Sequence, residues 1–341
     1  MTPAAGSTRP VTVVDGTGRS VTLSVTSIDG DVDRTRPPVV FCHGFPELAH
    51  SWRHQLPAVA AAGFTAVAPD MRGYGDSDAP EPREAYRMDR LCDDLVGLLD
   101  DLGAERAVFV GHDWGGFVAW AMPVLHPSRC AGVVGVCTPY LPFPTTELLR
   151  SLFGDDERMY MLWFQEPGVA EAVLDPRART LFTKLLRGGV DPVTYLPGGT
   201  DGASGTDDTG GTGGTDVGAN PFLHLDDLDP VGDVIVDDED LEHYVTTFER
   251  TGFRGGLNWY RNIDANAATF PQLGTTPLDL PTLMLTAEWD PALRPELAAG
   301  MPALCSDLEV HLVPRAGHWV QQEAPAEVNR RLTDWLRRRF G

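Results

Sequence analysis

Lysine is all but missing from this chain: Lys184 stands alone, and arginine supplies nearly all of the positive charge. Cations are scarce in any case, 27 Lys and Arg against 49 Asp and Glu, which leaves a formal charge of −22. A surface of that sign repels phosphate backbones and anionic lipid, so nucleic acid and membranes are excluded as partners. The acidity is spread over many segments rather than gathered in one tail, and reads as a solubility feature. No uninterrupted apolar run is long enough to cross a bilayer, and residues 1–10 contain no apolar stretch of the signal-peptide kind, so a cytoplasmic location is expected. Paired Cys-x-x-Cys spacing is absent, as is His-Glu-x-x-His, and no metal or other cofactor is expected. The five cysteines, Cys42, Cys92, Cys130, Cys137 and Cys305, are odd in number and read as reduced core residues.

What is present is enough for a large core: 341 residues, 42% of them apolar. Unalternated apolar runs recur at residues 39–42, 64–68, 107–110, 133–137 and 283–287, the pattern of strands covered on both faces, hence of a parallel sheet. Helical patterns lie between them. The clearest stripe is Met88, Leu91, Cys92, Leu95, Leu98, Leu99 and Leu102. Residues 11–14 and 20–26 flank Asp15-Gly16-Thr17-Gly18 and predict an antiparallel hairpin at the start of the sheet.

The alternation stops after Cys137 and resumes near Pro281, and the residues between are rich in aromatic and helix-forming types. This predicts a mainly helical cap, residues 141–272, inserted into an α/β core made of residues 1–140 and 273–341. Within the cap, residues 197–219 are almost wholly Gly, Thr, Asp and Ser, too polar to offset the entropy of ordering, and predict a mobile loop. They are no phosphate cradle, because no strand precedes them and no Gly-Lys-Ser/Thr follows. A last helix from about residue 324 places Val328, Leu332, Trp335 and Leu336 on one face, and Arg337 to Arg339 complement its dipole.

The chemistry concentrates in short motifs. Gly111-His112-Asp113-Trp114-Gly115-Gly116 follows an apolar run and precedes a helical stretch, which is the spacing of a nucleophile elbow with aspartate where serine usually stands. A carboxylate there makes no useful acyl-enzyme, but it can attack an sp3 carbon, as in an epoxide or alkyl halide. In His43-Gly44-Phe45-Pro46-Glu47 the glycine permits a sharp turn that aims the Phe45 amide at the elbow, where it joins the Trp114 amide as an oxyanion hole; so tight a turn also suits a cis bond before Pro46. Gly317-His318-Trp319 follows the alternating run 308–313, and a histidine after a strand's C-terminal end lies where open α/β sheets keep their sites. His311, inside that strand, reads as structural. The matching acid is Asp290, immediately past the strand at 283–287, with Glu288 as its rival; Asp290 before Pro291 also has the form of a helix N-cap. Tyr160 and Tyr260 can donate to a developing alkoxide, and either also fits a packed cap aromatic.

Together these segments resemble the soluble epoxide hydrolases of the α/β-hydrolase fold, from about Val39 to the C-terminus, excepting the Gly/Thr/Asp insert. The resemblance rests on the His43 to Pro46 turn, the aspartate elbow, Asp290, His318, and two tyrosine contexts: Tyr160 ahead of Trp163-Phe164-Gln165-Glu166-Pro167-Gly168, and Tyr260 within Gly252 to Asn262. It implies a mostly parallel central sheet flanked by helices, Asp113 as nucleophile, His318 and Asp290 as the hydrolytic pair, and Tyr160 and Tyr260 as the acids that open the ring. A small apolar epoxide and water are the implied reactants, with Phe45, Trp114, Trp163 and Trp319 lining the pocket; the oligomeric state stays open. Haloalkane dehalogenases use the same elbow aspartate, but their second halide donor sits where Phe45 offers only a phenyl ring, and Trp114 replaces the arginine of a fluoroacetate-type site. A ligand-binding protein that kept a hydrolase pocket is the alternative from another class.

Overall fold

The structure, a computed structural model, describes residues 6–30, 36–154, 159–190, 220–223 and 225–341. The insert at 197–219 lies outside the described residues. In β1 (Ser7–Val14) and β2 (Ser20–Ile28), Val11, Val13, Val21, Leu23 and Val25 are buried while Thr12, Thr22 and Ser24 between them are not, the period of a half-covered antiparallel pair. The next strands, β3 (Val39–Cys42), β4 (Ala66–Pro69), β5 (Ala107–His112) and β6 (Cys130–Val136), are buried throughout. Helices α1 (Gln55–Ala61), α2 (Met88–Leu102) and α3 (Trp114–Leu125) connect them.

After β6 the chain is mainly helical: α4 (Thr146–Phe153), α5 (Tyr160–Trp163), α6 (Val169–Leu174), α7 (Ala178–Leu185), the two-residue strands β7 (Arg187–Gly188) and β8 (Asp233–Val234), α8 (Asp238–Thr251), α9 (Arg254–Tyr260) and α10 (Ile263–Thr269). It then returns through β9 (Leu278–Ala287) and β10 (Cys305–Val313) to α11 (Val320–Glu323) and α12 (Pro325–Phe340).

Among the described residues the sheet has eight strands in the order β1-β2-β4-β3-β5-β6-β9-β10, and only β2 runs against the rest. Side-chain alternation divides the core in two. Val40 and Phe109 face α2, α3 and the insertion, whereas Val39, Phe41, Val108 and Val110 face α1 and α12. Among the described residues no helix is long and apolar enough to cross a membrane. The five cysteines are buried and unpaired.

Several strand ends depart from the sequence pattern, those of β9, β10 and β6 among them. β9 and β10 begin earlier than their apolar runs, at Leu278 and Cys305, which are buried and paired with each other, while exposed Asp279 and Ser306 just after them break the apolar pattern. Cys137, expected inside a strand, falls just past β6 with φ 60°.

The insertion is anchored to the core beside a buried ion cluster. Arg72, fully buried, bonds both oxygens of Asp94 at 2.8 and 2.5 Å and reaches Asp15 at 3.2 Å, while its own carbonyl accepts the Trp259 indole N–H at 3.1 Å. Replacing Arg72 by methionine strands two buried carboxylates, so the expected loss is about 3–5 kcal/mol, seen as a lower urea midpoint at unchanged slope.

Candidate active site

Asp113 is the turn residue between β5 and α3, with φ 50° and ψ −122°, a conformation that a side-chain-bearing residue adopts only under constraint. Close packing supplies that constraint: a Cβ at Gly115 would collide with the Cys42 carbonyl, so only glycine lets α3 start this near β3. Thr138 Oγ1 donates to the Asp113 carbonyl at 2.8 Å and holds the bend from the β6 side. The Asp113 side chain keeps 15% of its surface accessible, so the turn presents it above the sheet and not beneath it.

The two carboxylate oxygens meet different surroundings. Oδ1 accepts the Phe45 amide at 2.8 Å, and the Trp114 amide also stabilises the charge. Oδ2 lies 3.9 Å from His318 Nε2. Burial pushes the Asp113 carboxyl up from its ordinary value, against the pull of His318, His112 and the two amides. The Phe45 amide is delivered by the turn after β3, where the Phe45–Pro46 bond is cis.

His318 Nδ1 is 2.9 Å from Asp290 Oδ2. Burial disfavours the imidazolium, but Asp290 and then Asp113 outweigh it, and the pKa rises to about 9. Asp290 responds in the opposite sense: burial disfavours its charge, yet His318 and the Leu293 and Ala292 amides bring it down to about 2. Those amides reach Asp290 Oδ1 at 2.8 and 2.9 Å, the bonds of an N-cap, but no helix starts there. The chain stays irregular until a 3₁₀ segment begins at Pro295, because Arg294 is extended with ψ 145°. Glu288 is exposed and accepts the Arg315 amide at 2.8 Å, away from His318. His311 lies 3.7 Å from Glu309 and accepts from Arg331 at 3.2 Å.

Tyr160 and Tyr260 converge from α5 and α9, their rings edge to face at 5.8 Å. Tyr260 also sets its edge against Trp114 at 5.0 Å and Phe45 at 5.4 Å. Burial, and next the Asp113 charge, raise both phenols above their ordinary value, so both remain donors. Neighbouring residues lock the two helices together: Arg261 bonds the Phe164 carbonyl at 2.9 Å and both Glu171 oxygens at 2.7 and 2.8 Å, and Gln165 bonds the Tyr260 carbonyl at 3.0 Å.

Of the four expected pocket residues, Phe45 and Trp114 join this cluster. Trp163 packs on Phe164 at 5.6 Å, and Trp319 sits 4.7 Å from the His318 ring with its indole N–H on the Leu185 carbonyl at 2.7 Å. Sequence reasoning missed Phe222, whose ring touches Tyr160 at 5.5 Å, Phe164 at 5.1 Å and Phe45 at 5.9 Å. It also missed a buried polar bracket. Glu47 lies 2.7 Å from His112 Nδ1 and accepts from Gly44, Gln321 and Gln322, and His112 Nε2 donates to the His318 carbonyl at 2.8 Å. This bracket joins the Phe45 turn, the elbow and the His318 loop.

The arrangement brings together a carboxylate with one oxygen held by an amide and the other 3.9 Å from an imidazole, a second carboxylate on that imidazole, and two phenols. A family described as alpha/beta hydrolase fold matches residues 37–186. Epoxide hydrolase A of Mycobacterium tuberculosis is 45% identical over 88% of this chain and 90% of its own. Bifunctional epoxide hydrolase 2 of Rattus norvegicus is 39% identical over 88% of this chain and 52% of its own length. The crystal structure of Epoxide Hydrolase A from Mycobacterium thermoresistibile superposes with a TM-score of 0.81 at 41% identity, covering 98% of each chain. The chain belongs to the epoxide hydrolase family of the α/β-hydrolase fold.

Proposed function

We propose that this chain converts small apolar epoxides to vicinal diols through a covalent ester on Asp113. Asp113 Oδ2 attacks a ring carbon, the carbon–oxygen bond breaks, and the alkoxide takes a proton from Tyr160 or Tyr260. Esterification removes the Asp113 charge that helped keep His318 protonated. The imidazolium therefore becomes more acidic at the moment a base is needed, and its proton restores the phenol. Neutral His318 then takes a proton from water, the resulting hydroxide adds to the ester carbon, and the Oδ1 oxyanion rests on the Phe45 and Trp114 amides. Collapse releases the diol, its leaving oxygen protonated by His318, and the regenerated carboxyl returns its proton to the imidazole.

The observation that carries this reading is the unequal setting of the Asp113 oxygens: Oδ1 bonded at 2.8 Å where the oxyanion must form, Oδ2 beside His318 at 3.9 Å and free to attack. Phe45 supports it against dehalogenation, because its side chain has no donor for a departing halide. The test is a single turnover with enzyme in excess in heavy-oxygen water. The first diol is expected to carry ordinary oxygen from Asp113 while solvent label enters the protein; a fully labelled first diol overturns the ester route. The aromatic wall points to aryl-substituted epoxides. Phe222→Ala is accordingly expected to raise KM for a styrene-oxide-like substrate roughly two- to tenfold, the worth of an aromatic contact, with the isotope pattern unchanged.

A further inference from the structure

Glu323, at the end of α11, grips the His318 loop on both sides. Its Oε2 accepts the Gly317 amide at 2.7 Å and its Oε1 the Trp319 amide at 2.9 Å, so the two residues flanking His318 are fixed to one carboxylate. A third bond leaves the core: Oε2 also accepts the Gly189 amide at 3.1 Å, immediately after β7 of the insertion. That approach needs Gly188, where any Cβ would collide with the Glu323 side chain. The Trp319 indole bond to the Leu185 carbonyl makes a second tie to the same stretch of the insertion.

We infer that Glu323 is a positioning residue that holds the His318 imidazole through its neighbouring amides and couples it to the seating of residues 185–189, serving ester hydrolysis and not alkylation. This rests on His318 acting as the base. Alkylation depends on Asp113 and the two phenols, whose supports, the Phe45 amide, Arg261 and Gln165, make no use of Glu323. Hydrolysis depends on where His318 Nε2 sits relative to water and the ester, and a displacement near 1 Å costs roughly 100-fold in rate. A glutamine at 323 offers one acceptor oxygen and turns an N–H2 toward an amide that itself donates, so one side of the loop is released.

The test is Glu323→Gln assayed on a styrene-oxide-like substrate in the steady state and by acid quench, with mass spectrometry of the Asp113 peptide. kcat is expected to fall roughly 10- to 100-fold with KM falling alongside, so that kcat/KM stays within about threefold and the quenched enzyme carries the substrate-mass adduct. Trp319→Phe, which removes the indole tie while leaving Glu323 in place, is expected to give the same split at smaller size. Equal losses in kcat and kcat/KM without adduct, or parental values for both variants, overturn the inference. His318→Ala separates the two layers of argument: if it accumulates adduct while Glu323→Gln does not, only the Glu323 role fails, whereas no adduct in His318→Ala removes the underlying mechanism.

Discussion

Replacing Asp113 by alanine is expected to abolish diol formation, a loss on the order of 10⁵-fold or more, because the proposed covalent route loses the carboxylate that attacks the ring. The variant also tests how the site stores its base. In the parent, burial opposes the His318 charge but Asp290 and Asp113 prevail and lift its pKa to about 9. Without Asp113 one of those carboxylates is gone, so imidazole titration followed by NMR is expected to move to lower pH. The same change appears in stability. A histidine whose pKa is raised on folding adds stability that is complete below its ordinary 6.5 and lost as pH rises through about 9. In the alanine variant that alkaline loss is expected to be complete at lower pH and to be smaller. Asp290 works with the opposite sign: its contribution is present above its ordinary 3.8 and disappears as pH falls through about 2 in the parent. An unshifted His318 titration in Asp113→Ala contradicts the electrostatic account of how the base is switched on.

The parts of this enzyme that were legible in its sequence share one property: their signal is local. β3 and β5 read as strands because both faces are buried and the runs are therefore continuous, and α2 read as a helix because it has one apolar stripe over a single span. The elbow was legible because six consecutive residues contain Asp113 and the small residues that make room for it. His318 and Asp290, which lie 2.9 Å apart, were singled out by their positions after strands, which the fold class makes meaningful. What stayed hidden depends on contacts between distant residues. Glu47 meets His112 across 65 positions and Gln321 across 274, and nothing in Gly44-Phe45-Pro46-Glu47 marks the acid as a bracket. Glu323 stands next to a legible motif, but its value comes from Gly189, which lies 134 positions away. Phe222 follows a polar stretch without periodicity, so no pattern announced that the chain re-enters the aromatic wall there. Asp290 shows how a correct local signal misleads about structure: its capping bonds form, but the residues after it are too extended to continue as a helix.

Removing both phenols, Tyr160→Phe with Tyr260→Phe, is expected to slow alkylation by roughly 10³- to 10⁴-fold, since proton donation to the opening ring and stabilisation of the developing alkoxide are lost together. Either single variant is expected to lose much less, because the rings stand 5.8 Å apart and face the same Asp113 charge, so one donor remains beside the oxygen. The fold is expected to survive. The rings stay in their aromatic contacts, and α5 and α9 remain locked by Arg261 and Gln165 through backbone carbonyls that the substitution does not touch. The kinetic pattern is the reverse of that expected for Glu323→Gln: kcat/KM collapses, no adduct accumulates on the Asp113 peptide, and added epoxide leaves the enzyme unmodified. The pH dependence separates the phenols from the imidazole as well. Burial and Asp113 keep both tyrosines protonated beyond their ordinary range, so alkylation is expected to hold its rate as pH rises through the His318 titration, in the parent and in each single tyrosine variant. If the double variant forms the ester at the parental rate, ring opening draws its proton from elsewhere, and the two tyrosines are wall residues of the pocket.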